Sequence, residues 1–580
     1  MSSAHPPAPS LATSIPHTRA ADLVFRAKAG VLRLRRAARD GVRGRPRRHG
    51  RGEALAGAPV LGESASPLWT EGDPAERALV AGKVHNLRLA ARRLDGVEVP
   101  AGAVLGFWAQ VGRATRRRGF VAGRELREGC LVPSVGGGLC QLSNALHDAA
   151  LRAGLEVVER HAHSRAVPGS LAEAGRDATV FWNYVDLRLR APHPFRVEAR
   201  MDAGTLTVRF RGVRPGAADG PADADDRPGA RPRLRVLRVL DGGPRSCASC
   251  GEEACFRHME APPAPVGRAA HLVDEWWPEH DRHLASVRRP GDVLGVPLDG
   301  RRFGKPGYAW TTDGAARVRQ SWRVALARAW LSRRLAAQGA ARQRALLAYD
   351  VGHVVAAQGL LPSLWRAGHL GGRTFDVLMT SLPLATLHAR LDGAARLHPE
   401  SPTLADFRAD AALVAAEAEA LAHARRVVTP HHEVAALFPG RAEVLEWARP
   451  APRPVRPGDG SRARVVFPGP TAGRKGAHEL RAALAGLDAE LVAMGSMLEG
   501  PGFWDGVRRA APEGDWLDGA DLVVLPAFVE HRPRRLLEAL ARGVPVVATP
   551  ACGLAPEPGL ALVPPGDADA LREAMAAALA

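Results

Sequence analysis

Apolar residues in the second half of this chain gather in short segments separated by amphipathic runs. Arg344–Ala348, Phe375–Thr380, Arg426–Thr429, Arg464–Phe467, Glu490–Met494, Asp521–Leu525 and Val544–Thr549 are such segments. Short runs this rich in Val, Leu and Phe read as buried strands. Leu404–Ala424 and Arg534–Arg542 lie between them with helical spacing. Strand–helix alternation predicts parallel α/β sheets, and the Pro-rich stretch 449–457 divides them into two lobes. Upstream, 205–210 alternates polar and apolar residues like a half-buried strand, while Leu142, Leu146, Ala149 and Ala150 mark one face of a helix.

Length changes the picture from one domain to several: 580 residues exceed a single ordinary core. The expected divisions are a basic, partly disordered arm (1–72), an α+β unit (73–212), a Gly/Ala/Asp/Pro linker (213–232), a Cys-rich connector (233–264) and two α/β lobes (265–456 and 457–580). No run approaches the roughly 18 apolar residues of a membrane span, and no signal-peptide core is visible. Six cysteines in so long a chain make no disulfide framework, so a reducing cytoplasm is the expected compartment.

The formal net charge is +18, and residues 18–51 alone carry twelve Lys/Arg against Asp22 and Asp40. Leu23, Ala27, Val31 and Leu34 fall on one helical face there. Two readings stand: a solvated arm, or a basic amphipathic helix in peripheral contact with an anionic membrane at its inner face. No nucleic-acid motif accompanies the charge, so no specific nucleic acid is expected.

The run Gly136-Gly137-Gly138-Leu139-Cys140-Gln141 leads a cysteine into a helix start. There the helix dipole favours thiolate. His161, His163, Ser164 and Asp177 follow. The segment from about Val84 to Gly212 resembles a VanW-type domain. Its matching pieces are His85-Asn86-Leu87, Pro100-Ala101-Gly102, Arg118-Gly119-Phe120, GGGLCQLSNALHDAALRAGLEVVERHAHS, and Gly175-Arg176-Asp177-Ala178-Thr179-Val180. Three readings remain open. Cys140 is a nucleophile, His163 its base and Asp177 the orienting acid of an acyl-transfer enzyme; or Cys140 and His163 are structural; or the unit binds a peptidoglycan precursor without catalysis. Cys130 has no bases nearby in sequence and reads as structural.

In the last lobe, Phe467-Pro468-Gly469 ends a strand, and Gly473-Arg474-Lys475-Gly476 opens a helix. A glycine turn at a helix start suits phosphate. Only Lys28, Lys83, Lys305 and Lys475 are lysines, which makes a lysine here notable. Glu530 and Glu538 follow the Asp521–Leu525 segment. Residues 265–580 resemble the retaining GT-B glycosyltransferases, which have two facing Rossmann-like lobes and use nucleotide sugars. The resemblance implies that Gly469, Arg474, Lys475 and Gly476 hold the donor diphosphate and that Glu530 and Glu538 hold the nucleotide sugar. Pro470 replaces the arginine usual in that family. His353, in Tyr349-Asp350-Val351-Gly352-His353, is the candidate acceptor-lobe histidine, expected just past a strand. Cys247, Cys250, Cys255 and His258 have a spacing that suits Zn²⁺, or less well an Fe–S centre.

The whole reads as an α/β multidomain protein: an α+β VanW-like domain followed by the two Rossmann-like lobes of a glycosyltransferase. It is expected to move a sugar from a nucleotide-sugar donor to a cell-envelope acceptor with retention. The alternatives are a catalytically inactive scaffold in peptidoglycan or antibiotic-resistance pathways, or a cysteine acyl-transfer enzyme.

Overall fold

The computed structural model describes residues 18–69, 76–127, 130–163, 165–166, 171–172, 174–182, 184–213, 238–239, 245–247, 249–252, 255–256, 267–295, 347–458, 462–511 and 514–580. They form two compact units, one mainly of residues up to 267 and one mainly of residues from 268 onward.

The first unit is α+β. Strands Val60–Pro67, Thr205–Gly212, Phe195–Met201 and Val97–Val99 make an antiparallel sheet in that order. Helices Arg77–Leu94 and Leu139–Ala153 cover it and bury Leu87, Leu94, Leu142, Leu146, Phe195, Val197 and Phe210 in one core. Strand Val60–Pro67 falls inside the stretch expected to be arm. Its inward residues are Gly62 and Ser64, and a Cβ on Gly62 would stand 2.5 Å from the Ala149 carbonyl oxygen. The strand is legible only through such small residues, which is why its apolar signal is weak. Further along, Arg238–Val239 pairs with Arg165–Ala166, and Arg245–Ser246 with Cys130–Leu131, so the connector adds strands to this unit.

The arm is helical over Arg19–Arg43, as the second reading had it, but the helix packs on the unit through a polar face. Arg36, 6% exposed, is the reason. It meets Asp40 at 3.0 Å and Glu159 at 2.7 Å, and lies 3.7 Å from Asp186. Phe25 sets its ring edge-on to Phe181 at 5.8 Å. The Leu23, Ala27, Val31 and Leu34 face points away into solvent.

The second unit holds two doubly wound lobes. The first has strands in the order Val293–Gly295, Arg268–Leu272, Val351–Ala357, Thr374–Leu378, Arg426–Thr429 and Ala442–Val444. The second has Ala489–Ala493, Ala463–Phe467, Leu522–Leu525, Val546–Ala548 and Leu560–Leu562, each pair parallel. In chain order the second sheet runs 2-1-3-4-5, and its switch point lies between Ala463–Phe467 and Leu522–Leu525. Ligands of such sheets bind beyond the strand carboxyl ends at the switch point.

Two sequence expectations are corrected here. The segment 344–348 does not yield a strand over its described residues; the strand begins at Val351. His353 therefore stands near the strand's amino end, not past its carboxyl end. The helix expected over 404–424 spans Ala411–His423, because the Asp410 side chain caps it by accepting from the Leu413 N–H at 2.8 Å.

Candidate functional site

In the first unit, helix Leu139–Ala153 starts from Gly138, whose φ of 97° only glycine takes readily. Buried Asn86 fixes the turn, since its amide donates to the Val121 and Gly137 carbonyls at 3.0 Å each. One face of the helix then grips the passing chain. The Ala178 N–H donates to Asn144 at 2.8 Å, Ser143 Oγ donates to the Ala178 carbonyl at 2.6 Å, and His147 meets the Arg176 carbonyl at 3.0 Å. Asp148 pairs with Arg176. Residues 143/144 and 147/148 are one turn apart, so they hold 176–178 against the start of the helix.

Asp177 is thereby placed, fully buried, beside His163. Its Oδ2 accepts from His163 Nδ1 at 2.6 Å and from the His163 backbone N–H at 2.7 Å, and its Oδ1 accepts from Arg160 at 2.6 Å. Nδ1 is committed, which leaves Nε2 for Cys140, and the thiol and the imidazole interact. Burial disfavours the imidazolium, but Asp177 and Cys140 outweigh it and hold His163 at about 9. Burial likewise opposes the Asp177 carboxylate, and its bonds to His163 carry it below the usual range. Cys140 is half-buried at the second helical position, and first-turn N–H groups have no intrahelical acceptor. Cys140, His163 and Asp177 thus come together, while Ser164 lies outside the described residues. Sequence reasoning missed Lys83, although its rarity was a signal. A Cβ on Gly138 would stand 2.1 Å from Lys83 Cγ, and burial, with nearby Arg124, lowers this lysine to about 7.

The second candidate site lies at the switch point of the last lobe. After Phe467 the chain passes Gly469 and turns through 473–475 to Gly476, which caps helix Ala477–Leu484 at φ 76°. A Cβ on Gly476 would clash with the Pro526 carbonyl, so glycine lets the two strand ends approach. Lys475, 8% exposed, donates to Glu530 Oε2 at 2.8 Å and to the Val529 carbonyl at 3.1 Å. Burial opposes the Glu530 charge, but Lys475 lowers it below the ordinary glutamate range. Glu538, half-buried on helix Arg534–Ala541, accepts from the Trp516 indole at 3.3 Å and lies 3.5 Å from Arg542. Arg474 stacks 4.5 Å over Phe407, itself held at φ 62°, and its Nη1 is buried without a hydrogen-bond partner.

His353 does not join this group. Its Nδ1 meets Thr374 Oγ1 at 2.9 Å and its Nε2 lies 3.4 Å from Asp376, at the amino edge of the first-lobe sheet. His431, at the end of a first-lobe strand, does reach the Glu530 loop. It is 1% exposed, and its Nε2 lies 3.0 Å from the Glu530 carbonyl and 3.2 Å from that of Ala551. Its ring is committed to backbone, so it positions the Glu530 loop. The tripeptide Thr429-Pro430-His431 at a strand end was its signal.

The metal expectation is not met over the described residues. Among the described residues Cys247, Cys250 and Cys255 form no disulfide and are not brought into one group of metal-ligand atoms, and His258 lies outside the described residues.

These features define a chain that joins an α+β unit with a Cys–His–Asp cluster to a pair of doubly wound lobes with a lysine–glutamate pair at the switch point. Residues 82–211 match the family model described as VanW like protein, and residues 460–580 the model described as Glycosyl transferases group 1. The chain thus carries a VanW-like domain and a group 1 glycosyl transferase domain. It is 36% identical over 126 residues to the uncharacterized protein YoaR of Bacillus subtilis (strain 168), covering 21% of this chain and 41% of that protein. It is 31% identical over 134 residues to the Vancomycin B-type resistance protein VanW of Enterococcus faecalis (strain ATCC 700802 / V583), covering 23% and 49%. It thus spans half or less of these relatives. Among solved structures, sucrose-phosphate synthase from Thermosynechococcus elongatus matches at 16% identity and TM-score 0.34, covering 54% of this chain and 90% of that one. Anabaena HepE in complex with UDP-glucose matches at 15% and 0.32, covering 53% and 89%. The two-lobe assignment stands on the strand order itself.

Proposed function

We propose that the second unit is a retaining glycosyltransferase that takes a nucleotide-sugar donor at the switch point of its last lobe. The observation that carries this is the Lys475–Glu530 pair at 2.8 Å beside the Gly476 turn. An incoming diphosphate takes over the Lys475 ammonium and the first-turn amides of helix Ala477–Leu484, where the dipole favours anions. Glu530 is then released to accept from a sugar hydroxyl, and Glu538 from the nucleoside. Arg474, with its unpaired Nη1, stands in for the arginine replaced by Pro470. As the glycosidic bond breaks, these donors stabilise the leaving diphosphate. A cell-envelope acceptor is the reading favoured by the VanW-like half, with the solvent-facing apolar side of helix Arg19–Arg43 lying on an anionic membrane surface.

Thermal stabilisation against a panel of nucleotide sugars tests this. One donor should raise the melting temperature of wild type, and Lys475→Ala should lose the shift. Glu538→Ala should abolish transfer while keeping the fold. No shift with any donor would favour an inactive scaffold.

His163 supports a second activity, in the first unit. The proton shared between Cys140 and His163 Nε2 goes to the imidazole, and the thiolate attacks an ester or amide carbonyl whose oxyanion meets the first-turn amides of helix Leu139–Ala153. As the C–O or C–N bond breaks to leave a thioester, the departing alcohol or amine takes that proton from Nε2. Iodoacetamide should alkylate Cys140 faster than Cys130, and Cys140→Ser should abolish any acyl transfer. Equal labelling of the two would remove this reading.

A further inference from the structure

Two histidines and a glutamate converge where the two lobes of the second unit meet, and the functions above leave them unused. His398 follows helix Leu384–Leu397 of the first lobe, and His478 is the second residue of helix Ala477–Leu484 in the second. Their rings stack at 4.3 Å and 14°. His398 Nε2 lies 2.6 Å from Glu479 Oε1, and His478 Nε2 lies 3.2 Å from Glu499 Oε2. Glu479 and Glu499 are buried, with side chains 3% and 1% exposed. A carboxylate oxygen accepts, so each Nε2 carries a hydrogen, and Nδ1 is the ring nitrogen left for another partner.

Both Nδ1 atoms lie near one carboxylate. Nδ1 of His398 and of His478 lie 3.8 and 3.6 Å from Glu400 Oε1. The three residues each bring one ligand atom, all within 4.8 Å of one another. Three acceptor atoms gathered this closely repel unless a cation or a proton sits among them, and the two near-parallel rings would have to tilt for both Nδ1 atoms to reach one ion. In a tetrahedral zinc site with bonds of ~2.0–2.1 Å, ligand atoms stand about 3.3 Å apart, slightly closer than these. Histidines oriented from behind by carboxylates are the usual outer shell of such sites, and an imidazole-rich set suits zinc-class ions better than Mg²⁺ or Ca²⁺.

We propose that His398 Nδ1, His478 Nδ1 and the Glu400 carboxylate bind one divalent transition-metal ion of the zinc class. The ion joins the loop after the first-lobe helix to the helix that opens just beyond Lys475. Glu499 extends the link, because the same carboxylate accepts from the Gly473 N–H at 2.6 Å and from Thr403 Oγ1 at 2.5 Å. A cation here fixes both the lobe contact and the glycine turn.

The test uses the full chain, stripped of metal and titrated with zinc chloride by calorimetry, beside Glu400→Ala and His398→Gln. Glu400 is 65% exposed in its side chain, and equal metal-free melting temperatures would show that the variants fold. Wild type should bind one ion that each variant binds at least about tenfold more weakly. Cobalt in place of zinc should show d–d absorption without a thiolate charge-transfer band. Undiminished binding in both variants would overturn the proposal. So would cobalt bands of thiolate type alone, which would send the ion to the connector cysteines, or no binding by wild type, which would leave a proton between the acceptors.

Discussion

At the scale of single residues, the first unit concentrates its unusual electrostatics around one helix start. His163 is held at about 9 against 6.5 for an ordinary histidine. The folded chain therefore holds this proton more tightly than the unfolded chain, and the resulting stabilisation is complete below about pH 6.5 and gone above about 9. The melting-temperature gap between wild type and His163→Gln should be flat at acid pH and shrink across that window; a gap unchanged from pH 6 to 10 would contradict the pairing with Asp177. Lys83 has the opposite sign. Lowered from 10.5 to about 7, it penalises folding as pH falls below the first value, and fully below the second. Lys83→Met should thus stabilise the protein more at pH 6 than at pH 10, as thermal melts at the two values would show. Cys140, His163 and Asp177 were legible in the sequence because one motif brackets them. The cluster of His398, Glu400 and His478 was not, since its histidines lie 80 positions apart and only the meeting of two lobes makes them neighbours.

At the scale of elements, the grip of helix Leu139–Ala153 on residues 176–178 decides where Asp177 sits. Asn144→Ala leaves the Ala178 N–H without its acceptor, and should cost about 1–3 kcal/mol in urea unfolding and slow Cys140 alkylation together. The second lobe was read well: 464–467 against Ala463–Phe467, and 521–525 against Leu522–Leu525, because Val465–Phe467 and Leu522–Leu525 are buried, unbroken apolar runs. Strand Val60–Pro67 and the docking of helix Arg19–Arg43 were not, the first because it packs through Gly62 and Ser64, the second because a buried arginine reads as a solvated one. What that helix leaves exposed is Leu23 at 69%, Val31 at 66% and Leu34 at 74%. Wild type should sediment with anionic lipid vesicles at low salt and be released by high salt. A Leu23→Asp, Leu34→Asp double variant should stay in solution with an unchanged melting temperature. Equal sedimentation of both would put the basic residues, not the apolar face, in charge.

At the scale of the whole molecule, the two lobes of the second unit are tied by an ion pair. Glu279 of the first lobe, its side chain fully buried, takes both guanidinium nitrogens of Arg534 at 2.6 and 2.7 Å. Breaking such a pair leaves a charge uncompensated. Glu279→Gln should lower stability by about 3 kcal/mol in denaturant melts, and a loss under 1 kcal/mol would mean that solvent already screens Arg534. The strand order of the last lobe carries a different consequence, for how it is made. Ala463–Phe467 is an interior strand of its sheet, yet its lobe also needs Leu560–Leu562 at the edge and Leu571 and Met575 in the core, about a hundred residues later. While the chain leaves the ribosome, Leu522–Leu525 and Val546–Ala548 emerge before the surfaces that cover them. Such apolar strands without neighbours are where chains associate wrongly. Yield on expression should therefore depend more on chaperone supply and synthesis rate than the finished fold would suggest.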